Sequence, residues 1–389
     1  MGKTLRDFFK KGDMVLLSLC LAASAFGLVL IYSATRYLGS NRYVLIQAAG
    51  IAIGVVCYAV FTLVDIELFT VKTWKWMGLF NVAIILALIP FGVGEEQSGN
   101  KAWIPVPGLP INVQPAEVAK LFFVLLMAYQ CVRLKERTSI SHPVSMLTLV
   151  AHAGLMGGLI TVISKDFGSA LVYLLIFVVV AWCAGAKWWW FAGGLAGAAA
   201  ALALLWNHIP GYIRGRVSVV FLRNDPLDAG WQQEHSVMAI GAGGITGQGY
   251  LKGVQTQRGA IPAQHTDEIF AVCGEEFGMV GCCLVMLLLA AIILRCFWVG
   301  RRAASPMSAL IAMGYGGMFL FQTLINIGFC LYVFPVVGLT LPFFSYGGTS
   351  IITLFVAAGI VSGVKARSLP SWLQDRSSGQ EGRYGGKIL

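Results

Sequence analysis

Apolar runs of close to twenty residues recur from about residue 14 to residue 364, and most of the polar breaks between them are short. A helix needs roughly 20 such residues to cross about 30 Å of hydrocarbon. On that criterion ten spans are predicted, near 14–33, 43–63, 76–93, 117–133, 147–164, 168–185, 188–206, 268–294, 307–329 and 347–364. The fold class expected is an all-α polytopic membrane protein. One connection, 207–267, is far longer than the rest, and the tail 366–389 is polar and expected to be disordered. Basic residues set the sides. With residues 1–13 in the cytoplasm, the inner breaks hold Lys72 and Lys75, then Arg133, Lys135 and Arg137, Lys187, Arg295, Arg301 and Arg302, and Lys365 and Arg367. The short outer connections hold only Arg36, Arg42, Lys101 and Lys165. Both termini are therefore expected in the cytoplasm and the long loop outside.

Composition agrees with that class. The chain is 57% hydrophobic and 12% charged, against about a quarter charged in soluble domains. The formal charge of +10 lies in small clusters between apolar runs, which is a topology signal; no nucleic-acid partner is expected. No small-residue cleavage site follows the first run, which is expected to remain a span. The nine cysteines have no CxxC or metal spacing and read as small hydrophobes.

Ionisable groups at membrane depth carry the candidate chemistry, because each must be paired, solvated or working. "QPAEVAKLFF" sets Glu117 and Lys120 three apart at the start of the fourth span, with Pro115 suited to its first turn. "ISKDFGSALV" puts Lys165 and Asp166 in the tight fifth–sixth connection. Lys120 and Asp166 are expected to pair, either as a lock between helices or as a lining for an anionic lipid head group. "IGAGGITGQGYLKG" lacks the features of a P-loop or dinucleotide turn and reads as a flexible surface loop. The segment before it suits an interfacial helix or a solvated loop. "WWWF" at 188–191 reads as an aromatic belt, "LPFFSYGGTS" with Ser345 as a bent entry to the last span, and Trp103 as resting on the interface. "IPAQHTDEIFAVCGEEFG" crowds Asp267, Glu268, Glu275 and Glu276 at the mouth of the eighth span. Taken alone, Asp267 reads as a helix N-cap.

Together, "QPAEVAKL", "KDFGSAL", "AIGAGGITGQGYLKGVQTQ", "IPAQHTDEIFAVCGEEFG" and "NIGFCLYVFPVVGLTLPFFSYGGTS" resemble the SEDS family of bacterial cell-wall polymerases, over about 14–365. The loop around 250–278 looks most like the RodA branch, while "GLTLP" leans toward FtsW. The resemblance implies a peptidoglycan glycosyltransferase that polymerises lipid II on the outer face of the bacterial cytoplasmic membrane, here for elongation and rod shape. It maps the family's essential outer-loop aspartate onto Asp267, its helix-linking lysine and aspartate onto Lys120 and Asp166, and its outer-loop tryptophan onto Trp103. Glu117, His265, Thr266 and Ser345 are read as substrate-binding or supporting residues. The implied partner is a class B penicillin-binding protein, the implied ligands lipid II and a polyprenyl-linked glycan. Two positions depart from the pattern: Glu268 stands where the family has Phe, and "KDFG" where it has "PDLG".

In such a reaction a sugar hydroxyl attacks an anomeric carbon whose leaving group is a lipid pyrophosphate. A carboxylate that takes the hydroxyl proton contributes about 10²–10⁴-fold, and Asp267 is the expected base. Glu268 is expected to raise its proton affinity by like-charge repulsion. Lys120, Arg214, Arg216 and Arg258 are the candidate cations for the pyrophosphate, with a divalent ion, Mg or Mn, as a candidate cofactor. The alternatives are a flippase for lipid-linked precursors, a non-catalytic scaffold, or a division- or sporulation-specific polymerase.

Overall fold

The computed structural model describes residues 8–94, 100–106, 108, 112–205 and 229–367. Its helices are α1 (Met14–Thr35), α2 (Arg42–Leu63), α3 (Ile66–Leu86), α4 (Leu88–Phe91), α5 (Pro115–Arg137), α6 (Pro143–Leu159), α7 (Phe167–Cys183), α8 (Trp188–Leu205), α9 (Ala229–Gly243), α10 (Val254–Arg258), α11 (Ile269–Arg301), α12 (Pro306–Cys330) and α13 (Gly348–Arg367). Eight apolar helical stretches, beginning at Met14, Arg42, Ile66, Pro115, Pro143, Ile269, Pro306 and Gly348, are long enough to cross a membrane; α7 and α8 are shorter apolar helices. All ten expected spans are present as helices.

Local chemistry places most of the starts. Asp13 caps α1 by accepting from the Leu16 N–H, Asp65 caps α3 through Leu68, and Ser305 caps α12 through Ser308. Proline occupies the first turn of α5, α6 and α12, where its missing N–H is not needed. The third span begins ten residues before its expected start, because Asp65 caps it and Ile66, Leu68, Phe69 and Val71 extend its apolar face. Lys72 and Lys75 therefore lie on α3 rather than in a loop.

Large apolar side chains on the outer helices, such as Leu45, Val56, Leu79, Leu147 and Val162, are exposed, as a hydrocarbon-facing surface requires. Helices α5, α12 and α13 form the interior. Where α2 crosses α13 the backbones touch: a Cβ at Gly359 would come within 2.7 Å of the Tyr58 Cα. Lys187 lies over the Trp189 ring at 4.6 Å, in keeping with an aromatic belt.

The connections gather at two ends. At one end Asp13, fully buried, accepts from Arg295 Nε (2.8 Å) and Nη2 (3.0 Å) and lies 3.4 Å from Lys365 Nζ. Arg367 and Asp65 meet at the same end, and Glu67 accepts from the Ser305 and Ser308 hydroxyls. At the opposite end lie residues 36–41, 92–94, 100–106, 112–114, 164–166, 244–268 and 331–347.

The second half of the long connection is folded. Helix α9 packs on the first turns of α11, with Gln233, Ser236 and Ala239 buried. α11 itself breaks at Gly278, whose φ of 63° and ψ of −159° no side-chain-bearing residue adopts easily. Four backbone groups at the break are taken up by the 244–249 loop. The Glu275 and Glu276 carbonyls accept from the Gln248 and Gly249 N–H groups (2.9 and 3.1 Å), while Met279 and Val280 donate to the Gly244 and Ile245 carbonyls (2.9 and 3.2 Å). The glycine-rich stretch is thus a clamp on a broken helix rather than a free surface loop. Its glycines allow contact, since a Cβ at Gly243 would overlap the Gly274 carbonyl oxygen. The part from Met279 to Arg301 still measures about 34 Å at 1.5 Å per residue, enough to cross hydrocarbon.

Candidate active site

A cavity of about 1390 Å³ opens at the end opposite Asp13. Its walls come from the start of α2, residues 92–94 and 100–103, the 112–117 segment, Asp166, Thr266 and Asp267, and the 338–348 segment. A two-stranded hairpin holds one wall: β1 (Ile104–Pro105) pairs antiparallel with β2 (Asn112–Val113), and Val93 bridges to Trp103. Sequence analysis had no signal for this hairpin. It brings Trp103 to the cavity rather than leaving it on a bilayer surface.

Asp267 does not cap α11. Glu268 occupies the N-cap position, and its side chain makes no capping hydrogen bond either. Asp267 instead lines the cavity, held by its backbone: Asn326 Nδ2 donates to its carbonyl at 2.7 Å and to that of Leu339 at 2.6 Å. Part of the residue is reachable from the cavity, but protein crowds the carboxyl on its other sides. That burial, with the Asp166 carboxylate second, pushes its pKa up to about 7. Asp166 is thus a second like charge on Asp267, and the repulsion between Asp267 and Glu268 raises the proton affinity of Glu268.

Glu268 is fully buried, neither of its oxygens has a hydrogen-bond partner among the described residues, and Ser236 Oγ nearby is equally unpartnered. Burial pushes the Glu268 pKa up to about 8; Ser236 and Gln232 draw it partway back without closing a bond of ordinary geometry. The other two acids of the cluster are structural. Glu275 accepts from the Gln255 N–H (2.7 Å) and from the Thr256 N–H (2.8 Å) and hydroxyl (2.6 Å), and Glu276 from Ser33 Oγ (2.7 Å) and Gln257 Nε2 (3.0 Å). Four acids sit together because two tie α10 and α1 to the broken helix, one faces the cavity and one is sealed behind it.

Lys120 and Asp166 are not directly paired. Lys120 Nζ meets Glu117 Oε1 at 2.5 Å, with Lys120 only 1% exposed. Asp166 caps α7, accepting from the Ser169 N–H (2.9 Å) and hydroxyl (2.7 Å) and from Gln114 Nε2 (3.2 Å). Burial raises its pKa, and the two Ser169 hydrogen bonds and the Lys120 charge pull the other way. The physical reason for the changed pairing is proximity: Glu117 is one helical turn from Lys120, while Asp166 spends its oxygens on its own helix start. Glu117 and Asp166 both line the cavity; Lys120 lies beneath it.

The remaining expected residues divide. Thr266 lines the cavity. His265 packs against Tyr43 and Tyr346 with tilted rings, at centroid distances of 4.9 and 5.7 Å, and burial lowers its pKa, so it is neutral at pH 7. Ser345 is a backbone brace, its hydroxyl accepting from the Leu341 N–H at 2.7 Å. Arg258 is exposed at the end of α10 and is not among the cavity walls. Arg214 and Arg216 lie outside the described residues. Arg42 and Lys101 do line the cavity; their only sequence signal was a basic residue on the sparsely charged side. Gln114, Tyr43 and Tyr346 gave no catalytic signal at all.

The donors do not make a cage for a divalent ion. Among the described residues no three His, Cys, Asp or Glu side chains converge as ligands, and Glu117 is committed to Lys120.

A family model described as Cell cycle protein, FTSW_RODA_SPOVE, matches residues 14–369. The chain is 32% identical to a probable peptidoglycan glycosyltransferase FtsW of Thiomicrospira cyclica over 370 residues, covering 93% of each chain. It is 31% identical to the similarly named protein of Methylomonas methanica, covering 90% of this chain and 91% of that one. Among solved structures it is similar to a chain of a peptidoglycan synthase complex that coordinates polymerization and crosslinking (TM-score 0.77, 28% identity, 92% of this chain and 98% of that chain). It also resembles the rod shape determining protein RodA of Thermus thermophilus (TM-score 0.65, 27% identity, 91% and 96%). The chain belongs to the FtsW/RodA/SpoVE family, the SEDS family, and is a multi-pass membrane peptidoglycan glycosyltransferase.

Proposed function

We propose that the cavity is the site at which lipid II is joined into glycan strands, with Asp267 as general base. One observation carries this reading: Asp267 is a cavity-lining carboxyl with no capping role, no ion pair among the described residues, and a pKa raised to about 7 by burial. The acceptor hydroxyl attacks the anomeric carbon of the donor, the bond from that carbon to the lipid pyrophosphate breaks, and the hydroxyl proton passes to Asp267. A base whose pKa lies near the working pH serves this step best. Charge building on the departing pyrophosphate is met by Arg42, whose guanidinium has no acid partner among the described residues, and by Lys101, which also donates to the Ile89 carbonyl at 2.7 Å. Lys120 supports the site from below by neutralising Glu117. The acids gather at one end of the bundle rather than at its middle, which favours surface chemistry over transport.

The distribution of basic residues supports a topology with both termini in the cytoplasm and this cavity facing the outside of the bacterial cytoplasmic membrane. Purified protein given labelled lipid II without vesicles is expected to make glycan polymer. Its rate should climb as pH rises through about 7 and level off above, since the ionised carboxylate is the active form. A rate that is flat from pH 6 to 8 would refute Asp267 as the base.

We further take a class B penicillin-binding protein as the cross-linking partner, a reading supported by the similarity to a polymerizing and crosslinking synthase complex. The loop motifs favour elongation, whereas the curated relatives bear the FtsW name and favour division. Depletion separates the two: cells that round up place the protein in elongation, and cells that form filaments place it in division.

A further inference from the structure

Three aromatic rings meet at the mouth of the cavity. Tyr43, at the start of α2, and Tyr346, just before α13, are set edge to face with centroids 5.1 Å apart, and His265 lies behind both. Both tyrosines line the cavity and both are half-buried. Their hydroxyls set them apart from the packing tyrosines. Tyr58, Tyr173 and Tyr315 are fully buried, and each donates to a backbone carbonyl, of Asp13 (2.7 Å), Ala116 (2.8 Å) and Leu121 (2.9 Å). That is the usual state of a core tyrosine. Among the described residues the hydroxyls of Tyr43 and Tyr346 have no partner. The support beneath them is backbone: the Tyr346 N–H donates to the His265 carbonyl at 2.8 Å, and Gln47 is tied to the Ser345 carbonyl (3.1 Å) and the Gly347 N–H (3.1 Å). The rings are thus fixed from below and open above, and His265 beneath them is one residue from Thr266 and two from Asp267.

The geometry points to the Tyr43–Tyr346 pair as a sugar-binding platform, a subsite that holds a pyranose ring of the glycan against the aromatic faces and leads its hydroxyl to Asp267. A pyranose ring has an apolar C–H face and a polar rim. A rigid amphipathic ring with a free hydroxyl matches both at little cost in conformational entropy. Placing the acceptor so is also what converts an encounter of two lipid-anchored sugars into an oriented reaction. The inference rests on the reading of this cavity as the polymerisation site.

The test separates the two claims. Lipid II binding is measured at equilibrium on protein carrying Asp267→Asn, with and without Tyr43→Ala or Tyr346→Ala. The same tyrosine variants are assayed for turnover and product length with Asp267 intact. Each Ala variant is expected to weaken binding at least about fivefold, the size of one lost aromatic contact, to raise KM more than it lowers kcat, and to shorten the strands. Tyr→Phe keeps the ring and loses only the hydroxyl, so it should fall between wild type and Ala. Thermal unfolding checks the fold. If an Ala variant does not fold, Tyr→Leu, which keeps bulk without an aromatic face, gives the same readouts. Unchanged binding and strand length in folded Ala or Leu variants would overturn the platform while leaving Asp267 untouched. Full activity of Asp267→Asn would overturn the base while leaving the binding result to stand.

Discussion

Asp267→Asn is expected to lower glycan synthesis from lipid II by about 10²- to 10⁴-fold, the share a positioned base contributes. The substitution keeps the shape and removes the proton acceptor. Gel analysis of polymer made by the purified variant measures the loss, and wild-type rates would refute the assignment. The same variant should be more stable than wild type above neutral pH. The sign follows from the raised pKa: the folded carboxyl titrates near 7, the unfolded one near 3.9. Between those values the folded protein holds a proton that the unfolded chain has lost, so stability falls as pH rises from about 4 to about 7, and the full penalty persists above. Asn carries no such penalty. After allowance for the partial exposure of the residue the gain is on the order of 2 kcal/mol, to be read as a higher Tm at pH 8 with little difference at pH 4. An active site that gains stability when its base is removed is one whose charge is held in place by the rest of the fold.

Lys120→Ala carries the largest expected stability loss. Lys120 and Glu117 are buried together, and removing one partner leaves an uncompensated charge in a low-dielectric interior, which costs about 3–5 kcal/mol. Most of that penalty belongs to the stranded carboxylate rather than to the lost attraction. Glu117→Gln with Lys120→Met should therefore recover much of the loss, and unfolding of the two single variants and the double variant measures the coupling. Equal stability of Lys120→Ala and wild type would show that the pair is not held as described. A second effect reaches the chemistry. Lys120 is the cation whose charge favours ionised Asp166, so without it Asp166 takes up a proton more readily. A neutral Asp166 no longer repels charge on Asp267, and the acid limb of any surviving activity should move to lower pH.

The span pattern was legible because a transmembrane helix is a local object, written in twenty consecutive residues and their caps. Asp13, Asp65, Asp166 and Ser305 each cap the helix that follows them, and Pro115 and Pro306 sit in the first turns of theirs. The acidic cluster, the Glu117–Lys120 spacing and the glycine-rich stretch were all visible as motifs. Their assignments were less so, since a motif lists residues without saying which way each points. Asp267 and Glu268 are neighbours in the chain and face opposite surroundings. Lys120 chose Glu117 over Asp166 because Asp166 is consumed by its own helix start. Glycines that read as freedom are the contact surface of a clamp.

Hydropathy and the distribution of charge established what kind of molecule this is and roughly where each helix runs, because those properties depend on neighbours along the chain and on lipid. The cavity depends on neither. It takes Arg42, Trp103, Asp166, Asp267 and Tyr346 from the start of α2 and four connections spread over three hundred residues, and only the packing of the helices fixes how far apart they stand. The same packing removes water from Asp267 and sets its proton affinity, since burial is a property of the assembled bundle and of no segment within it.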